Sequence, residues 1–171
     1  MLKEIAIFIK DLGLGPPPHN WRLHIDLFAG HVPVKNKLGN DTPERYLAVL
    51  ENAGGSVLTN VGGVWCRNVE GVVCPSSPSV TWPKYIEKAV QLLNRAKTYF
   101  TARDDAEVLF DALHNTAGWE LPNKSGDPAA PSEYIACVVD AYGAPAPIEN
   151  PGERGLFLFS TNYIWKIEKA S

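Results

Sequence analysis

Two groups of histidine and acidic side chains have spacings that could support chemistry. His24 and Asp26 are two positions apart in an alternating segment, so both would lie on one face of a strand and could form an acid/base pair. The other interpretation is a solvated strand face with a weak charge contact. We favour the solvated face, because no candidate nucleophile accompanies the pair.

The second group is Glu107, Asp111 and His114, at positions i, i+4 and i+7 of a predicted helix. This spacing stacks three possible metal ligands on one helix face. An acidic, solvated helix face has the same pattern, and no second cluster is placed to complete four ligands. We therefore predict no metal site, no cofactor and no catalytic residue, and we do not expect an enzyme.

Phosphate-binding motifs are also missing from the sequence. The glycine pairs Gly54-Gly55 and Gly62-Gly63 are not followed by Lys-Ser/Thr and do not belong to a GxGxxG pattern. Lys35 and Lys37 are too few for a phosphate site. With a net charge of −3 and no basic tract, the composition argues against binding of nucleic acid through its phosphates.

The length of 171 residues and a hydrophobic content of 45% predict one domain, residues 1–171, with a substantial core. The first residues form an amphipathic pattern rather than a signal peptide. No apolar run approaches the length that crosses a bilayer. We therefore expect a soluble product made in a cytoplasm, without a membrane partner.

Cys66, Cys74 and Cys137 are three cysteines with no CxxC spacing. We favour a buried thiol for each of them. A Cys66–Cys74 disulfide is the alternative, although a reducing compartment disfavours it.

Two amphipathic helices are predicted. The first spans residues 2–12, and Gly13 suits its C-terminal end. The second begins at Asp104-Asp105, which suit an N-terminal cap and the helix dipole, and ends at Gly118. Its predicted apolar face consists of Ala106, Leu109, Phe110, Leu113 and Ala117.

Four segments have strand character. Residues 21–27 alternate, which predicts a half-buried strand, and residues 45–50 predict a second. The apolar run 134–139 predicts a central strand covered on both faces. The closing stretch 155–168 is also predicted to be central, because it is aromatic and apolar on both faces near its start.

The sequence leaves the structure of two segments undecided. Residues 84–97 have apolar positions at helical spacing but could also form a strand, and the periodicity favours the helix. Residues 54–83 are nearly uncharged and predict a long loop or β excursion, which in a compact domain is usually functional. Trp65 and Trp82 in this excursion are either exposed anchors for a partner or the cap of a small satellite core.

The aromatic face of the closing strand raises the question of what covers it. The two helices supply a layer for one face, which leaves no layer for the face with Phe157, Phe159, Tyr163 and Trp165. We expect the excursion 54–83 or a neighbouring subunit to cover this face.

Three local features, together with the order of the elements, resemble a known family. They are the run 90–95 leading through Tyr99 into the helical segment 105–110, the proline-containing loop 143–147, and the final run 153–163 with its aromatic-Ser-x-Asn-Tyr pattern. In these features, over residues 84–169, the chain resembles the tail terminator (tail completion, or minor capsid) proteins of long-tailed bacteriophages. The excursion 54–83 is longer than this family leads us to expect.

The resemblance implies a small α+β fold, in which a mixed or antiparallel sheet packs against two helices. It implies that residues 88–95 form a strand, against the periodicity. It further implies a hexameric ring in the tail or neck of the virion, assembled in the host cytoplasm. Such a ring ends the tail tube and meets the head connector, and DNA passes through its lumen without specific binding. No reaction and no cofactor is implied.

The expected function is therefore a structural virion protein whose partners are itself, the tube protein and the connector protein. The alternative is a module that binds sugar or peptide with some of the five Trp and six Tyr residues, although these show no repeated spacing. An enzyme that uses the histidine and acidic groups is the third hypothesis.

Overall fold

The computed structural model describes residues 1–15, 20–51, 85–127, 129–148 and 155–169. These residues form two helices and a mixed sheet, which is the α+β architecture that the sequence predicts. In chain order the elements are α1 (Leu2–Asp11), β1 (Leu27–Ala29), β2 (Tyr46–Glu51), β3 (Tyr85–Ala96), α2 (Tyr99–Leu113), β4 (Trp119–Leu121), β5 (Tyr134–Ala141), β6 (Ala146–Pro147) and β7 (Phe157–Lys169).

The closing strand β7 is central, as predicted. The strand order is β1-β2-β3-β7-β5-β4, and the short β6 pairs with the start of β7. β1 and β2 are parallel, whereas the other neighbours are antiparallel. The pairing of β7 with β3 extends from Phe157 opposite Ala96 to Glu168 opposite Tyr85. This pair of long strands forms the centre of the sheet, on which the helices pack.

Residues 85–96 are a strand, as the resemblance implies, and the helical interpretation of their periodicity is wrong. β3 lies between β2 and β7, and its residues 90–95 pair on both edges. Val90 and Leu92 are fully buried on one face, and Leu93 is half-buried on the other. Apolar residues on both faces of an inner strand obscure the two-residue period, and a helical spacing can then appear by coincidence.

α1 matches its predicted span to within one residue, and Gly13 follows it in the left-handed region with φ 71°. Its apolar face packs on the sheet, where the Phe8 ring meets Trp165 edge-on at a centroid distance of 6.0 Å. From α2, Leu109 and Leu113 join the same core. Both helices therefore cover one face of the sheet.

α2 begins five residues earlier than the sequence predicts. Thr98 is the N-terminal cap, and its hydroxyl accepts a hydrogen bond from the Thr101 N–H at 3.2 Å. Asp105 therefore lies within the helix and not in its first turn, and it accepts two hydrogen bonds from the Arg45 guanidinium at 2.8 and 2.6 Å. The helix ends at Leu113, so the predicted end at Gly118 is also wrong.

The predicted strand 21–27 is mostly a tight turn. The Arg22 carbonyl accepts hydrogen bonds from the N–H groups of Ile25, Asp26 and Leu27, and β1 starts only at Leu27. The alternating pattern arises because Trp21 and Leu27 both reach the core from the two ends of the turn. The strand predicted at 45–50 is confirmed as β2 with a shift of one residue.

The aromatic face of β7 is the face that the helices cover, so the predicted need for another layer there is wrong. Tyr163 and Trp165 are fully buried, and Phe159 is 2% exposed. The opposite face of β7 is only half-buried: Leu158, Ser160, Asn162 and Ile164. The excursion 54–83, with Trp65 and Trp82, lies outside the described residues.

β5 extends the predicted strand 134–139 to Ala141, and it is an inner strand, as predicted. Full cover on both faces is not observed, because Val138 is 37% exposed. The predicted loop that follows contains β6, and the Ile148 N–H donates to the Leu158 carbonyl at 3.0 Å.

A buried amide lies beneath the helices. Asn94 is 1% exposed, between Leu47 on β2 and Phe159 on β7, and neither atom of its amide has a hydrogen-bond partner in the described part of the chain. An unsatisfied buried polar group destabilises a fold.

Replacing Asn94 by leucine is expected to raise the free energy of unfolding by about 1–2 kcal/mol, because the unpaired amide is removed at similar volume. Urea denaturation followed by circular dichroism measures the change. The control Asn94→Asp should lose stability, since it places a charge at the same buried position. Lower stability of Asn94→Leu would contradict the expectation.

Candidate interaction surfaces

The candidate acid/base pair lies in the turn before β1. Asp26 accepts hydrogen bonds from the backbone N–H of Arg22 at 2.5 Å and from its guanidinium at 2.8 Å. His24 has φ 65°, and its backbone N–H donates to the Leu27 carbonyl at 2.7 Å. The Asp26 carboxylate is thus engaged by Arg22 rather than by His24.

The candidate metal ligands of α2 are divided among separate contacts. Glu107 pairs with Arg103 at 3.5 Å, and His114 follows the last helical residue and lies 3.0 Å from a carboxylate oxygen of Asp140. Asp111 is exposed. No group of three or more His, Cys, Asp or Glu side chains within the described ranges is placed to hold a metal ion.

Cys137 lies at an irregularity of β5, where the register with β7 shifts between Ala136 and Val138. Its side chain is half-buried. Burial raises the pKa of the Cys137 thiol, and the negative charge of Glu168 raises it further. Cys66 and Cys74 lie outside the described residues, so the alternative disulfide stays a prediction.

Cys137 is expected to react slowly with iodoacetamide at pH 7 in the folded protein, because the thiolate is the attacking species and its pKa is raised. The rate should keep rising above pH of about 8.5, where an ordinary thiol begins to level off. Mass spectrometry of the Cys137 peptide measures the rate. Glu168→Gln should accelerate the reaction, and equal rates in folded and urea-unfolded protein at pH 7 would refute the prediction.

Residues 31–42 form an ordered hairpin, called the hairpin below. The Asn36 N–H donates to the Asn40 carbonyl at 2.8 Å, and the Asn36 side chain accepts from the Leu38 N–H at 3.0 Å. Two apolar side chains nevertheless face solvent, with Val34 85% and Leu38 65% exposed. A backbone held by its own hydrogen bonds presents these side chains at little entropic cost on binding.

Four rings gather where α2 begins and β7 starts. Tyr99 lies 5.7 Å from Phe100, 5.9 Å from Phe157 and 5.1 Å from Phe159, all edge-on. We call these four residues the aromatic corner. Phe100 is 65% and Tyr99 39% exposed, whereas Phe159 anchors the group in the core. Tyrosine and phenylalanine are enriched at protein interfaces, so the corner is a second candidate contact surface.

Sequence reasoning misses both surfaces. Residues 39–43, Gly-Asn-Asp-Thr-Pro, have the composition of a simple turn, although Val34 and Leu38 beside them are apolar residues in a turn-rich segment. Tyr99 and Phe100 occupy the first turn of α2, which the predicted start at Asp104 leaves outside the helix.

The edges of the sheet provide less contact surface for a partner than the hairpin and the aromatic corner do. Within the described residues the outer strands are β1 and β4, with three residues each, and β6, with two residues. Strands this short provide few unpaired backbone groups for a neighbour. Contacts with partners are therefore expected to depend on side chains.

Comparisons with models of protein families, with curated proteins and with solved structures find no match for this chain. None of the described helices is long and apolar enough to cross a membrane.

Proposed function

We propose that this chain is a structural subunit of a bacteriophage tail, namely a tail terminator that forms a ring, caps the tail tube and joins it to the head connector. The observation that carries the proposal is the pair of ordered apolar surfaces, the hairpin and the aromatic corner, built by different parts of the chain. A closed ring of identical subunits requires two different surfaces that fit each other.

The order of elements supports the proposal as well. β3 runs as a strand up to Ala96 and is followed directly by α2, which is the arrangement that the resemblance implies for this part of the chain. The final strand is central and pairs with β3 along its length. Both features concern the region 84–169, where the resemblance lies.

In the ring we propose, the hairpin of one subunit packs against the aromatic corner of the next. Phe100 and Tyr99 of one subunit would bury Leu38 and Val34 of its neighbour. Burial of apolar side chains drives such contacts. The number of subunits is six if the family pattern holds. The subunit would act without catalysis, and its other partners are the tube and connector proteins.

Sedimentation velocity over a wide protein concentration range, with negative-stain imaging, tests the proposal. The expected result is a ring-sized species that increases with concentration. Some such rings close only on the tube, so the same measurement is repeated with the cognate tube protein. A strictly monomeric chain that neither caps the tube nor limits its length would overturn the proposal.

The exposed aromatic rings also favour one alternative, a module that binds peptide or sugar through the aromatic corner. Binding on a peptide or glycan panel by a monomeric chain, lost in Phe100→Ala, would establish that function instead.

A further inference from the structure

A cleft of about 440 Å³ lies between α1, the turn at 21–24, the hairpin and the loop between β4 and β5. We call it the basic cleft. Among the residues that the structure describes, five basic side chains and no acidic side chain line it. The lining residues with basic side chains are Lys3, Lys10, Arg22, His24 and Lys37.

Nearby carboxylates neutralise part of this charge. Lys10 pairs with Asp11 at 3.1 Å, and Arg22 pairs with Asp26 at 2.7 Å. Asp127, beside the cleft, accepts a hydrogen bond from the Ala129 N–H at 2.9 Å.

Lys3 and Lys37 remain without an ion pair among the described residues. The cleft therefore carries at least two positive charges that have no ion-pair partner in the described ranges. An anion would meet these charges without displacing an existing partner.

Trp21 forms part of the cleft wall. Its side chain is 2% exposed, and its indole Nε1–H has no acceptor in the described part of the chain. The indole nitrogen is shielded from solvent, and its N–H can report on changes in the cleft without contacting a ligand. Ile7 and Leu23 supply apolar wall beside it.

The walls are held in place by the backbone. The Lys37 N–H donates to the carbonyl of His24 at 2.9 Å, which ties the hairpin to the turn. His24 holds a left-handed conformation with φ 65°, and such strain in a residue other than glycine is typical of functional sites. His24 and Lys37 also line an adjoining cavity of about 320 Å³, and His31 and Lys35 are among its other lining residues.

We propose that the basic cleft binds a phosphate group, either as free phosphate or as part of a small phosphate ester. The Arg22 fork, which suits either a phosphate or a carboxylate, is already bonded to Asp26, so Lys3 and Lys37 would bind the phosphate as point charges. The cleft volume lies in the range of about 300–1,000 Å³ that is usual for small ligands. The apolar wall of Ile7, Trp21 and Leu23 suits the body of an ester. This inference does not depend on ring formation.

The test is an NMR titration of the full chain, in a buffer free of phosphate, with inorganic phosphate and separately with phenyl phosphate. The probe signal is the indole N–H resonance of Trp21, assigned with Trp21→Phe. We expect a saturable shift, with affinity reduced about three- to tenfold in Lys3→Gln and in Lys37→Gln. Lys97→Gln is the matched control, because Lys97 is 78% exposed and lies outside the cleft.

Saturation by both probes with equal affinity would identify a site for free phosphate. Tighter binding of phenyl phosphate would identify a site for a phosphate ester. Either result supports the proposal. No saturable shift of the Trp21 resonance with either probe would overturn it. A shift that Lys97→Gln weakens as much as Lys3→Gln and Lys37→Gln would overturn it too.

Discussion

Replacing Trp165 by alanine is expected to lower the free energy of unfolding by about 3–5 kcal/mol, the range for removing a large aromatic side chain from a core. Trp165 is fully buried on the central strand, and its ring meets Phe8 of α1 edge-on at 6.0 Å. Its loss would leave a cavity between α1 and β7. Urea denaturation followed by circular dichroism measures the change, because the other tryptophans complicate fluorescence.

Two further variants distinguish loss of the buried ring from loss of the indole N–H, and compare the two faces of β7. Trp165→Phe keeps a ring against Phe8 and removes the indole N–H, which has no acceptor among the described residues, so its cost should stay below about 2 kcal/mol. Ile164→Ala alters the opposite, half-buried face of the same strand and should cost about 1 kcal/mol. Equal losses for Trp165→Ala and Ile164→Ala would mean that both faces of β7 are covered to the same extent.

Replacing Leu38 by aspartate is expected to prevent formation of the proposed ring while the subunit stays folded. In the proposed interface this change puts an unpaired charge at an apolar contact, with a cost above about 2 kcal/mol, or roughly thirtyfold in affinity, for each contact. Leu38 is 65% exposed in the single chain, so the unfolding transition should hardly move. Sedimentation velocity and a thermal melt measure the two quantities.

Asn40→Asp is the matched control, since it adds the same charge to the same hairpin and keeps Leu38 in place. Phe100→Asp should also prevent formation of the proposed ring, and an acidic residue in the first turn of α2 is compatible with the helix. The two disrupted variants retain complementary surfaces, so their mixture should form a heterodimer although neither associates alone. Ring formation by Leu38→Asp would exclude the hairpin from the interface.

Parts of the fold could be predicted because local chemistry determines them. The span of α1 follows from a clear helical period and the glycine after it. β2, β5 and β7 follow from runs of apolar, β-branched and aromatic residues. In each case the residues that set the element are neighbours in the chain.

The errors occur where distant contacts compete with the local pattern. The alternation in 21–27 satisfies a strand, yet the Arg22–Asp26 contacts close the segment into a turn. Acidic residues at 104–105 suit a helix start, but Asp105 instead binds Arg45, which is far away in sequence. Thr98 has an equally good capping side chain earlier in the chain.

By its sequence alone, this protein is determined to have two amphipathic helices and an apolar closing strand, predicted at 155–168 and observed at 157–169, because hydrophobic periodicity and propensity are local properties. Only the tertiary structure decided which face of that strand the helices cover. It also brought Lys3, Lys37 and the buried Trp21 indole to one cleft, although Lys35 and Lys37 looked too few for phosphate. Side chains distant in sequence become neighbours only through packing, and a charge pattern along the chain does not record that proximity.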